Sequence, residues 1–311
     1  MKYSIWFNNN INLLKNIYNF CINNNINTWN IEFFCWYPLY KSSLNRFYDE
    51  NITKKDFEKS IFLLQDKWFK INYLLNSKII NYDLIEDELK WLKKIWVEIL
   101  TISNLELIDY INKNYSNFKI VVSIIYWTKN SIDILKLSKY KNIVRIIFHQ
   151  SLNHEFRKLL SIISQTKSLW FETELLANEL CFSDCKLRDK HYLQISKYNW
   201  VSCDSFDEIW NFCSDDRKNI SIIFDSPWIR PEDIMLYDKI WIDFIKLAWR
   251  NCESDLLLNC IKWYLKWKYD WNFFNLMDLD WKKWWWRIEV RKLSNRKLDW
   301  FLFAKFKKWK D

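Results

Sequence analysis

The sequence predicts an α/β protein, a TIM-like (β/α)₈ barrel with a short basic C-terminal extension. Three observations carry this. Short β-branched or aromatic runs alternate with helical-period segments, and β-then-α repetition implies parallel strands joined by crossover helices. About eight such units fit in some 260 residues, the count of an eight-stranded barrel. The predicted strands also end in polar residues, at Asn76, Ser103, Ser123, His149, Asn178-Glu179, Asp225 and Arg250. A barrel collects its chemistry at those C-terminal strand ends.

The elements follow in order. Tyr3 to Phe7 reads as a strand, and Ile11 to Cys21 as a helix with apolar Ile11, Leu14, Ile17, Tyr18 and Cys21 on one face. Asn30 to Cys35 is the second strand, followed by a polar loop from Trp36 to Asn51. Thr53 is the N-cap of a helix to Asp66, with Asp56 in its first turn. Strands at 69–75, 97–103, 118–125, 143–149 and 171–178 then alternate with helices at 82–95, 105–114, 131–138 and 153–166. The stretch Cys185 to Cys213 reads as irregular. Asn219 to Phe224 reads as a strand that runs into DSPWIRPED, where Pro227 and Pro231 bar regular structure. A helix from Glu232 to Ile240, a strand from Ile242 to Leu247 and a helix from Glu253 to Lys266 complete residues 1–267 as the barrel domain. Residues 268–311 form the extension or cap. From Trp281 onward they carry eleven Lys or Arg against three Asp or Glu.

The chain has 311 residues and a net charge of +9, so the basic tail accounts for most of the imbalance. Such a tail can meet RNA phosphates or an acidic partner, or serve as a solvated face. No apolar run reaches the length of a membrane span, and MKYSIWFNNN lacks the apolar core of a signal peptide, so a cytoplasmic location is expected.

The composition holds an anomaly. There are 22 tryptophans and no glycine, where roughly 22 glycines are expected at about 7% usage. Trp68, Trp96, Trp249 and Trp271 occupy turn and strand-entry contexts that glycine normally fills, and Trp284-Trp285-Trp286 reads as a glycine-rich turn. The expectation is that a codon decoded as glycine has been rendered as tryptophan, in keeping with an Asn-, Lys- and Ile-rich, AT-biased composition. Trp210, Trp228 and Trp263, in apolar or helical settings, read as genuine. Even with Trp read as Gly no G-x-G-x-x-G appears, which counts against a doubly wound dinucleotide-binding sheet.

The candidate site centres on ETELLANELCFSDCKLRDKHY, residues Glu172 to Tyr192. Eight cysteines without a secretory signal point to metal binding or catalysis more than to disulfides. Cys21, Cys213 and Cys260 read as core. Cys181-x3-Cys185, then Cys203, have the open spacing of thiolate ligands to an iron–sulfur cluster. Cys252 and Cys35 compete as a fourth ligand. Zinc held by Cys181, Cys185, Cys203 and His191 is the alternative, and free thiols the plain reading. Glu179 and His191 are candidates for acid–base chemistry, and Arg188 for anchoring a carboxylate or phosphate. His149, at a strand end, and Arg230, in the doubly proline-braced loop, are further candidates. The bland readings are a locally satisfied histidine and a helix cap. No Ser-His-Asp signature or H-E-x-x-H is present.

The segments Asn178 to Tyr192, Ser226 to Arg250 (SPWIRPEDIMLYDKIWIDFIKLAWR) and Tyr264 to Asn272 (YLKWKYDWN) resemble the collagenase-like peptidase family, peptidase family U-thirty-two. YLLN at Tyr73 to Asn76 and NRKLDWF at Asn295 to Phe301 match more weakly. The match improves when Trp241, Trp249, Trp267, Trp271 and Trp300 are read as glycine. The resemblance implies a TIM-like barrel with a [4Fe–4S] cluster, and Cys181, Cys185 and Cys203 match cysteines of the family pattern, whose fourth cysteine has no clear counterpart here. The site expected at the strand ends has Glu179, His191 and Arg250 as catalytic candidates, and Asn76, His149, Asn178, Arg188, Arg230 and Lys246 as substrate-binding candidates. Members are classed as peptidases, and some take part in oxygen-independent hydroxylation of quinones or RNA bases. Three functions are therefore carried forward: cluster-dependent hydroxylation or modification, unconventional proteolysis, and a non-catalytic RNA-binding role or service as a partner subunit within the same family.

Overall fold

Eight parallel strands close into a ring in sequence order, β1 (Lys2–Trp6), β2 (Ile31–Cys35), β3 (Lys70–Leu75), β4 (Ile99–Ile102), β5 (Lys119–Val122), β6 (Ile143–Ile147), β7 (Glu172–Leu176) and β8 (Phe244–Leu247). β8 pairs back onto β1 with Tyr3 opposite Ile245, so the sheet has no edge. The predicted (β/α)₈ barrel is the observed fold. The computed structural model describes residues 1–37, 52–178, 185–198, 227–248 and 254–269.

Helices α1 (Ile11–Asn23), α2 (Lys54–Asp66), α3 (Tyr82–Lys94), α4 (Leu105–Asn114), α5 (Ser131–Leu137) and α6 (Phe156–Ser168) link the first seven strands. Their starts follow local chemistry. Asn10, Thr53, Asn81, Asn104 and Asn130 each cap a helix by accepting a backbone N–H with the side-chain oxygen. Each helix turns one apolar stripe to the barrel, as Leu13, Leu14, Ile17 and Cys21 do on α1. The core is thus a shell between strands and helices, with Phe33, Tyr73, Leu100, Ile120 and Ile146 buried on its strand side.

β7 pairs directly with β8, Leu175 opposite Ile245; the run Asn219 to Phe224, read as a strand, lies outside the described residues. One reading is corrected. Part of the stretch read as irregular, Arg188–Tyr198, is a helix, α7. Its sequence RDKHYLQISKY hides the helix because polar residues fall on nearly every face, and contacts made from afar hold it instead. Helices α8 (Ile234–Lys239) and α9 (Ser254–Lys266) flank β8, and α9 is pinned to the start of the chain by hydrogen bonds from Asn8 and Asn10 to Ser254. The basic extension falls almost entirely outside the described residues. Among the described residues no helix is long and apolar enough to cross a membrane.

Candidate functional site at the barrel mouth

Strand alternation fixes which side chains enter the barrel. Ser4, Glu32, Asn72, Thr101, Arg145, Glu174 and Lys246 point inward from seven of the eight strands, and all are buried. Arg145 Nη2 donates to Glu32 Oε2 at 2.7 Å, and Nη1 donates to Glu32 Oε1 at 3.0 Å and Glu174 Oε2 at 2.7 Å. The guanidinium lies flat on the Phe244 ring, 3.5 Å from its centroid. Ser4 Oγ and Asn72 Nδ2 donate to Glu32, and Thr101 Oγ1 donates to Asn72. Lys246 Nζ stands 3.8 Å from Glu174 Oε1 and 3.9 Å over the Phe34 ring. Two cations thus face two carboxylates in a space that barrels usually fill with aliphatic side chains.

This balance sets the ionisation. Burial pushes the Glu32 carboxyl up, but the charge and hydrogen bonds of Arg145, with help from Asn72 and Lys246, outweigh it and hold Glu32 below the usual carboxylate range. Arg145 stays charged, its affinity for the proton raised by the two glutamates against the effect of burial. Sequence reasoning missed Glu32, Arg145 and Glu174. The available signal was a charged residue at an inward step of otherwise apolar strands, IEFFC, IVRII and ETELL.

Above this layer α7 lies across the mouth. Tyr192 packs on Val121, Ile124, Ile125, Ile147 and Leu176 from the β5–β7 side. At the far side Asp189 pairs with Lys78, and Ser196 Oγ accepts the Lys78 backbone N–H at 3.1 Å. Lys78 follows β3, which stands diametrically opposite β7 in the ring. An eleven-residue helix is about 16 Å long, and α7 reaches between those opposite sides.

Several predicted residues gather here. Cys185 is buried and free of any disulfide, and its carbonyl accepts the N–H of Arg188 as the chain enters α7. Arg188 is itself buried, with its guanidinium 5.6 Å from the Tyr192 ring. His191 is half-buried and stacks on Tyr192 at 5.9 Å. Asn178 closes β7: its Oδ1 accepts the Ala248 N–H at 2.7 Å, tying the ends of β7 and β8, while Nδ2 is buried without a hydrogen-bond partner. Asn76, after β3, likewise buries an unpaired Oδ1. His149 is buried, with Nδ1 toward Ser151 Oγ at 2.8 Å and its ring 5.2 Å from Trp127. Lys246 forms the floor.

Arg230 follows Ile229, whose N–H donates to the Ala177 carbonyl at the end of β7, and its Nε and Nη2 donate to the Asp233 carboxylate at 2.7 and 2.8 Å. Cys35 lies between inward-facing Glu32 and the helix layer; alternation with Phe34 turns its thiol outward beside Tyr73, whose hydroxyl donates to Glu88 of α3. Burial and nearby Glu32 push that thiol far up. Glu179, Cys181, Cys203, Arg250 and Cys252 lie outside the described residues. Among the described residues no three His, Cys, Asp or Glu side chains are grouped to hold a metal.

No protein-family model matches the chain. Over 189 residues, 60% of the chain, it is 28% identical to an uncharacterized protease of Methanocaldococcus jannaschii. That stretch covers 55% of the relative, so the chain spans about half the length of the curated protein it matches. In fold the chain is similar to a solved U32 peptidase, with a TM-score of 0.55 at 11% identity, covering 80% of this chain and 93% of that one. The solved U32 peptidase speaks for the barrel alone, whereas the protease relative adds similarity at the level of sequence.

Proposed function

We propose that the chain is a U32-peptidase-like enzyme working at the barrel mouth beneath α7, with an iron–sulfur cluster on Cys181, Cys185 and Cys203 and an oxygen-independent hydroxylation or related modification of a quinone or RNA as its reaction. The observation that carries this reading is Cys185, a buried, undisulfided thiol at the rim where β7 hands over to the helix across the mouth. A thiol there suits a cluster ligand, and Cys35, facing the helices, does not. A bound cluster supplies single electrons. The residues of the chain do the rest. Arg188 and Lys246 offer positive charge to a carboxylate, phosphate or ring oxygen. Asn178 offers a free amide donor, and His191 an exchangeable proton at the edge of α7. α7 itself limits water access to the buried Glu174–Lys246 floor.

Proteolysis is the second reading, favoured by the sequence similarity to a protease. Incubation with casein and denatured collagen separates the two. The first reading expects no cleavage by the anaerobically prepared protein, and cleavage lost on Glu179→Gln would establish the second.

A further inference from the structure

The tryptophans of this chain fall where a backbone demands glycine. Eight described residues have left-handed φ, and six of them are Trp68, Trp96, Trp127, Trp170, Trp241 and Trp267, with φ between 53° and 74°. The other two, Asn9 and Asn25, are of a type that, with Asp, visits this region more readily than other non-glycine residues. A bulky side chain is the worst choice for it.

Five of the six end helices in the same way. After α2 the N–H of Trp68 bonds the Gln65 carbonyl and that of Phe69 bonds Leu64. Trp96 and Val97 repeat this after α3, Trp170 and Phe171 after α6, Trp241 and Ile242 after α8, and Trp267 and Lys268 after α9. This paired 5→2 and 6→1 pattern is the Schellman motif, whose left-handed residue is usually glycine. Asn25 fills the same place after α1. The indoles gain little there: Trp170 is 93% and Trp96 77% exposed. Trp91 is different. It sits inside α3, is buried, and donates its indole N–H to Glu58 at 2.6 Å, as a true tryptophan does.

We infer that one codon read as glycine by the native translation machinery is written here as tryptophan, at the six left-handed positions and also at Trp6 and Trp36. The last two wall the mouth. Their rings stack 4.2 Å apart, Trp6 lies 5.5 Å from Phe34, and the buried indole N–H of Trp6 has no hydrogen-bond partner. With glycine at both, the space above Phe34 and Lys246 is open to a substrate. The inference holds whatever reaction the mouth performs.

Peptide mass mapping of the protein isolated from its native cells tests this directly. Glycine is expected at 68, 96, 127, 170, 241, 267, 6 and 36, and tryptophan at 91. Tryptophan at the six left-handed positions overturns the inference; tryptophan at 6 and 36 alone overturns its extension to the mouth. A second test needs no native cells. A recombinant chain carrying Trp68→Gly, Trp96→Gly, Trp170→Gly and Trp241→Gly is expected to unfold at higher urea than the chain as written, each change shifting the folding equilibrium about fivefold. An unchanged or lower midpoint contradicts it.

Discussion

Arg145 is the residue on which the barrel interior most depends, because it hydrogen-bonds both Glu32 and Glu174. Arg145→Met should destabilise the fold by roughly 3–5 kcal/mol, since it strands two carboxylates in a low-dielectric space; urea unfolding measures it. Glu32 sets the pH response. Its folded pKa is lowered below the unfolded value of 4.5, so the folded state binds fewer protons there. The stability it contributes is complete above pH 4.5 and is lost as pH falls below that toward the folded value. Unfolding midpoints should drop between pH 4.5 and pH 3 in the wild type, and Glu32→Gln should flatten that drop. These residues were illegible in the sequence. A lone charge inside a strand normally marks a solvent face, and only closure of the ring brings strands 2, 6 and 7 to a common centre. The core thiols were legible: Cys21 sits on an apolar helical stripe, and burial pushes it up to about 12.

At the scale of elements, α7 carries the candidate residues Arg188 and His191 and was the hardest to read. Its residues lack an apolar stripe, so its stability comes from Tyr192 on one side of the mouth and from Lys78 on the other. Tyr192→Ala should raise the opening equilibrium of α7 roughly thirtyfold, about 2 kcal/mol, and leave the strands protected. Hydrogen exchange at amides 189–196 reads this, and unchanged exchange would mean the helix is held by something else. The other helices could be read from their caps. Thr53, named as an N-cap from sequence, accepts the Asp56 N–H at 3.2 Å, and Thr53→Ala should cost about 1 kcal/mol in the same unfolding assay. Strand ends were overextended by one to three residues, as at 118–125 against Lys119–Val122, where apolar Ile124 and Ile125 continue into the turn past the last paired rung.

For the whole molecule, alternation of strands and helices sufficed to give the barrel, and the polar strand ends read from sequence gather at one end of it. Asn76, Ser103, Ser123, His149 and Asn178 all follow their strands at one end of the ring. The sequence could not show that α7 crosses that end, nor that Cys35 turns away from it. Both follow from closure, which converts a linear order into opposite sides and inner faces. The central claim is that the rim cysteines hold a cluster there, and iron and acid-labile sulfide content after anaerobic reconstitution tests it most directly. About four irons per chain are expected in the wild type and in Cys35→Ser, with most of the iron lost in Cys185→Ala. A colourless, iron-free wild type, or a Cys185→Ala variant that keeps its iron, would contradict it.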